Sequence, residues 1–367
     1  MKVIKITGIL LVVVIITSTS CREAYFPDDI RSLENTLIIE GMICEGYSPE
    51  VSISYAMGYY ETTQIPVSNA TVVITDNLGN QVELPEESTG LYKPVSDEFK
   101  GVNGREYTLQ VNTPDGNEYK SDMVKINEKP VIDSIYARLG ALDVYSYNSD
   151  GEPVTKTKIQ NGFYLFTDLS AETNSTVYYR FSTSVIRLFD YLMQPPMAPQ
   201  AYNIYIWERP AVIDDFYSVD FTNANNGRQI LPQHKICYLQ WIEKPPKYAI
   251  ATKSSTPWVL ILKVYAISAG VYDYYHSIDQ QLNSDNHMFA PVPSQIKTNI
   301  HCINDPARTV SGVFEASSMA VSYKAFLYIN SDQLRSKILS GFPDSLGSGQ
   351  VGENPPDFWI TFDNEID

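Results

Sequence analysis

The sequence predicts a mostly β protein of two parts, a β-sandwich over 36–127 and a larger β-rich domain over 131–367 with two or so short helices. Three observations predict it. Short runs near period two recur about every ten residues with no helical pattern between them, as antiparallel strands of a sandwich do. Turn residues stand between the runs. The composition, 26 Tyr and 14 Phe with 19% charged residues, suits β-structure. A chain of 367 residues also exceeds the size at which one core keeps growing, so two domains are expected.

The first twenty residues place Lys2 and Lys5 before an apolar stretch, Ile6 to Ile16, and the small polar run Thr17 to Ser20 before Cys21. That order predicts a signal peptide over 1–20. The apolar stretch is about half of the roughly 20 residues a spanning helix needs, so a retained membrane anchor is the weaker reading. Cys21 after small residues is the expected lipidation site, although Ser18 stands where Leu is usual; a secreted protein with an incidental cysteine is the alternative. Cleavage removes Lys2 and Lys5, leaving 25 basic (27 − 2) against 43 acidic groups, a net charge of −18. An acidic chain without a basic stripe excludes a nucleic-acid role.

Residues 21–35 contain Pro27, Asp28 and Asp29 without any period and read as a tether. Strands follow in the stretches Leu37–Gly41, Val51–Tyr55, Ala70–Ile74, Gln81–Leu84 and Tyr107–Val111. The turns between them, ending at Gly79, Gly90, Gly104 and Gly116, supply residues that tolerate positive φ. Asn127-Glu128-Lys129-Pro130 interrupts the pattern, which restarts at Val131. In the second part Phe163–Phe166, Val177–Phe181 and Trp258–Ala266 read as strands. One helix is expected after the cap Ser268, through Val271, Tyr274 or Tyr275, Ile278 and Leu282. A second is expected over Asn330–Gly341, where Asn330 and Gln333 resemble a capping pair and Leu334 and Ile338 share a face. Met193 to Pro199, rich in Pro and Met, is a loop and a candidate contact surface.

Cys44, Cys237 and Cys302 are the remaining cysteines. An oxidising compartment favours a disulfide, and Cys237 with Cys302, in the same expected domain, is the candidate pair. With His234 and His301 the same cysteines make the ligand set of a structural zinc site. Adjacent His301 and Cys302 on a strand would face opposite ways, so no metal site is assigned. Gly347, Gly349 and Gly352 have the spacing of a dinucleotide fingerprint, but Glu353-Asn354-Pro355-Pro356 follows where a helix must start. No Gly-x-Ser-x-Gly elbow and no His-Glu-x-x-His occurs. Asp28-Asp29 and Asp214-Asp215 sit in loop-like contexts and are not assigned as a glycosidase pair. The expectation is a protein with no catalytic residues and no cofactor. Ser134 and Ser345, each within an Asp-Ser-aliphatic triplet, are candidate O-glycosylation sites. Tyr205, Trp207, Trp241 and Trp258 are candidate ligand contacts if exposed, and core if buried.

The C-terminal third resembles the Bacteroidota lipoproteins grouped as domain of unknown function 4249. Carrying residues are Ile267-Ser268, Tyr272-Asp273-Tyr274-Tyr275, Gln280-Gln281, Phe289 to Ile296, Asn299-Ile300 and Gly312-Val313-Phe314-Glu315-Ala316-Ser317-Ser318. Ile38–Gly41, Asn69–Val72, Gly104–Tyr107 and Thr113–Gly116 agree in the N-terminal half. Ala290-Pro291 and Lys297-Thr298 depart from the family pattern. The resemblance implies a first sandwich of immunoglobulin or transthyretin type and a lipoprotein of the outer membrane, often encoded beside TonB-dependent, SusC-like transporters. On it rests the expectation of a non-catalytic binding accessory of such a β-barrel transporter, its ligand unknown. Arg22-Glu23 and Asp28-Asp29 partly match the acidic signal for the cell exterior, so surface exposure is favoured over a periplasmic face. The alternative is a structural or adhesive surface protein, or a glycan-binding module, without a transporter partner.

Overall fold

The computed structural model describes residues 36–57, 65–144, 158–173, 175–194, 196–197, 200–209, 219–222, 229–240, 249–252, 257–283, 296–330, 333–351 and 354–360. The expected signal peptide, the tether and Cys21 lie outside them.

Among the described residues ten strands precede the linker: β1 (Leu37–Cys44), β2 (Glu50–Tyr55), β3 (Ile65–Pro66), β4 (Thr71–Asp76), β5 (Gln81–Leu84), β6 (Glu86–Ser88), β7 (Leu91–Tyr92), β8 (Glu106–Asn112), β9 (Glu118–Ser121) and β10 (Val124–Lys125). Beyond it run β11 (Val131–Val144), β12 (Lys158–Ala171), β13 (Tyr178–Met193), β14 (Tyr202–Glu208), β15 (Val219–Phe221), β16 (Gln229–Gln240), β17 (Ala249–Thr252) and β18 (Pro257–Ile267). The helix α1 (Ala269–Asn283) follows, then β19 (Ile300–Cys302), β20 (Val310–Asn330), β21 (Gln333–Leu339) and β22 (Gly349–Val351).

The early hairpins form where alternation and turn residues place them. Gly79, Gly90, Gly104 and Gly116 all take positive φ, between 74° and 86°. At the β4–β5 turn Asp76 accepts from the backbone of Leu78 and Asn80, from the Asn80 amide and from Arg105 Nη1 at 2.8 Å. Burial pushes its carboxyl up, but these hydrogen bonds and the Arg105 charge together hold it below the usual range.

One large sheet runs β22-β14-β13-β18-β20-β1-β2-β7-β6, and two smaller sheets pack on it. The sheet β19-β9-β8-β4-β5 closes the first core, around Ile39, Ile53, Val72, Leu109 and Phe314. The sheet β11-β12-β16 closes the second, around Phe163, Leu165, Leu239, Leu260 and Phe326. The first sandwich is completed from outside the stretch 36–127: β1 pairs in parallel with β20 from Leu37↔Val310 to Cys44↔Ser317, and β19 pairs with β9. A parallel pairing across some 270 residues leaves no local mark, which is why strand spacing does not reveal it.

β20 stitches the two sandwiches together. Its face carrying Phe314 and Ala316 enters the first core, and further along the same face Phe326 enters the second. Its other face places Val313 and Met319 beneath α1, then Val321, Tyr323 and Ala325 against the C-terminal segment. Gly312 opens this strand with φ 101°, and a Cβ there would run into the Ile39 carbonyl. β18 is buried along nearly its whole length because both of its faces are covered, Leu260 and Leu262 on one side and Val259 and Ile261 on the other. That is the physical reason for its unbroken apolar run.

The first expected helix forms as α1, with the Val271 N–H on Ser268 Oγ at 3.4 Å and the Tyr272 N–H on Ser268 O at 3.0 Å. The second does not. Residues 333–339 form β21, antiparallel to β20 from Tyr323↔Leu339 to Asn330↔Gln333, so the described residues hold one helix. Leu334 still meets the second core, but Ile338 is exposed. Leu-x-x-x-Ile spacing fits a helix face and, equally, one face of a strand; the open edge of β20 decides between them.

Candidate functional site

Several residues that carry the family resemblance, among them Ile267, Tyr272, Tyr274, Tyr275 and Val313, pack together at α1, at the seam of the two sandwiches. Arg180 on β13 and Glu315 on β20 form a bidentate pair there, Nε to Oε2 and Nη2 to Oε1, both 2.8 Å. Their side chains are 16% and 2% exposed. Ser317 Oγ donates to Glu315 Oε1 at 2.7 Å. The Tyr265 ring lies 4.0 Å from the guanidinium carbon and the Tyr275 ring of α1 5.4 Å from it. Burial alone would lower the arginine pKa; the Glu315 carboxylate outweighs it and raises it. Burial also lifts the Tyr275 and Tyr265 phenols and, with Glu315 nearby, pushes the Cys44 thiol up to about 11. Charges so paired link β13 to β20 across β18, and the Tyr275 ring of α1 packs over the guanidinium.

Asn299 belongs to the same seam. Its Nδ2 donates to Phe314 O at 2.8 Å and its Oδ1 accepts from the Phe314 N–H at 2.9 Å, so one buried amide replaces a strand partner. On the outer side of α1, Tyr272 stacks on His276 (5.3 Å between centroids) and meets Tyr178 (5.1 Å) and Phe221 (5.7 Å). These half-buried rings, with Asp220 and Asp273 acting on Tyr272, form a candidate contact surface. On the opposite side of the start of β13 a cleft of about 480 Å3 opens beside the linker Asn127–Pro130. In the large domain Arg187 is buried against Phe189 at 3.9 Å and Trp258 at 5.1 Å, and its Nε has no hydrogen-bond partner.

The three described aromatic residues singled out in the sequence, Tyr205, Trp207 and Trp258, do not share an open flat surface. Trp258 is 3% exposed and belongs to the second core. Tyr205 meets Trp359 edge-on at 4.9 Å, and Trp207 meets Phe358 at 5.1 Å and covers Gly349, so the C-terminal segment packs on both. Trp241 lies outside the described residues, as do Asp28-Asp29 and Asp214-Asp215. In the Met193–Pro199 stretch Met193 is buried and Met197 is 98% exposed.

The expected Cys237–Cys302 bridge is not formed: neither cysteine is in a disulfide, because Cys237 is buried in the second core and Cys302 in the first. The zinc set is dispersed by the same separation. His234 stacks on Phe181 and contacts Asp220 at 2.8 Å, while His301 lies 3.4 Å from Asp122. Among the described residues no three His, Cys, Asp or Glu gather as metal ligands. Ser134 is half-buried on β11, with its hydroxyl on Asp168 at 2.6 Å, whereas Ser345 is exposed. No described helix is long and apolar enough to cross a membrane.

The sequence places Glu315 in the family motif and Arg180 in an expected strand, but the pairing of the two was not read from it. The signal was available: each is a lone charge inside an apolar strand run, Tyr-Tyr-Arg-Phe and Val-Phe-Glu-Ala, and buried charges of opposite sign find each other.

The family described as "Domain of unknown function (DUF4249)" matches residues 23–322, most of the chain. No curated protein and no solved structure matches it.

Proposed function

The chain belongs to the DUF4249 family, and from that premise we propose that it is a non-catalytic binding accessory of a TonB-dependent, SusC-like transporter. In this reading it is a Bacteroidota lipoprotein, held in the outer membrane by a lipid on Cys21, and it faces the cell exterior. The leader pattern and the family resemblance support the anchor and the partner.

The observation that carries the proposal is the position of β1. The first strand after the tether is an interior strand, between β20 and β2 in the sheet that both sandwiches share. A lipid on residue 21 therefore holds both bodies through one central strand. The sixteen residues from Cys21 to Leu37 span at most about 55 Å when fully extended. The aromatic surface of Tyr178, Phe221 and Tyr272 and the exposed Met197 offer contact area for a partner.

Affinity capture of the native protein from gently solubilised membranes should bring down a β-barrel receptor in stoichiometric amount. Recovery of the chain alone under those conditions would contradict the accessory role. It would favour a structural or adhesive surface protein, whose deletion weakens attachment.

A further inference from the structure

Three elements bring aromatic rings together on the outer side of α1. Tyr178 at the start of β13 stands opposite Phe221 of β15, so the two side chains share one face of the sheet, 6.0 Å between centroids. Tyr272 of α1 lies against both and stacks on His276 one turn later. Phe221 is 38% exposed, and Tyr178, Tyr272 and His276 are half-buried. A ring cluster assembled from a long strand, a short strand and a helix, and left open to solvent, has the character of a contact surface.

The charges that border it are acidic. α1 contains Asp273 and Asp279 and no Lys or Arg. Asp279 follows Tyr272 at seven residues, on the same face of the helix, and Asp273 adjoins it. Burial raises the Tyr272 phenol, and Asp220, Asp273, Tyr178 and Asp279 raise it further. Asp220 turns to the reverse of β15, where it meets His234 at 2.8 Å. Arg180, on the same face of β13 as Tyr178, is buried in its pair with Glu315 and does not offset the two helix carboxylates. The face of an aromatic ring is the negative end of a quadrupole, so rings bordered by carboxylates favour a cation. The same charges repel anionic lipid headgroups and nucleic acid.

We propose that this face docks a basic segment of a protein partner, with a Lys or Arg side chain over the rings of Phe221 and Tyr272 and beside Asp273 and Asp279. The proposal rests on the accessory reading for the existence of a partner, and adds the chemistry of the segment that meets this chain.

The test is photo-crosslinking of the full chain in its native membranes, with p-benzoylphenylalanine at position 221 and, separately, at position 276, followed by mass-spectrometric sequencing of the adducts. The expected adduct is a peptide of a second protein with Lys or Arg within about three residues of the crosslink, roughly 10 Å of chain. Asp273→Lys should lower its yield about tenfold or more by setting like charges together. Asp273→Asn, which keeps the shape of an exposed side chain, should lower it less and in the same direction. No adduct at either position would overturn the proposal. So would an adduct to a lipid, a glycan or a segment without Lys or Arg, or a yield that Asp273→Lys leaves unchanged. A basic segment from a protein other than a β-barrel receptor would uphold this surface and contradict the transporter reading. A receptor crosslinked through a segment without Lys or Arg would do the reverse.

Discussion

Glu315→Ala is expected to destabilise the protein by about 3–5 kcal/mol, because it leaves the Arg180 guanidinium in a buried site without its counter-charge. The pair is bidentate, with both distances 2.8 Å, and Ser317 completes the carboxylate's partners. Truncation thus strands two donors of Arg180 and the Ser317 hydroxyl together. The attraction itself is not the source of this cost, since desolvating two charges offsets most of what their pairing returns. The double replacement Arg180→Met with Glu315→Leu is therefore expected to lose clearly less than the single Glu315→Ala. Thermal and urea unfolding of the parent, Glu315→Ala, Arg180→Met, Glu315→Leu and the Arg180→Met, Glu315→Leu double would show it. A double variant as unstable as Arg180→Met and Glu315→Leu summed would mean that the two side chains are not coupled, against this reading.

Phe314→Ala should also cost about 3–5 kcal/mol, the usual loss for a large buried aromatic ring. The ring is fully buried in the first core but belongs to a strand that continues into the second. Its fit depends on Gly41 of β1: a Cβ there would stand 3.0 Å from Phe314 Cδ2 and 3.1 Å from Leu109 Cδ2. Gly41→Ala is expected to destabilise the parent, and to do so less once Phe314 has become alanine, since the cavity then accepts the methyl group. Additive losses in that cycle, read from unfolding midpoints, would show that the two positions do not share the space described.

The described strands between 36 and 127 were legible because most of their pairing is local. Each early strand pairs with one beyond a short turn, the alternation of Val72 and Ile74 or of Leu109 and Val111 marks the buried face, and glycines stand at the reversals. α1 was legible for the same reason, through Ser268 and a helical apolar stripe. β20 was not, because its odd and even positions meet four environments in turn, so no single period survives along its length. β21 was misread because Leu334 and Ile338 fit two periods, and the pairing partner, not the propensity, chooses. The residues under α1 come from β13, β18, α1 and β20. Family resemblance marked most of them, but their convergence on Arg180 and Glu315 is a property of the topology. The cysteine pairing failed on the same ground: Cys302 lies late in the sequence yet belongs to the early sandwich through β19.

In the proposed role a lipid on residue 21 presents both sandwiches at a membrane. Intact mass spectrometry of the protein purified from its native membrane tests it most directly. The account predicts a chain that begins at Cys21 and carries the mass of a diacylglycerol and its fatty acids. A chain unacylated at Cys21, or one that retains residues 1–20, would contradict both the placement and the role built on it.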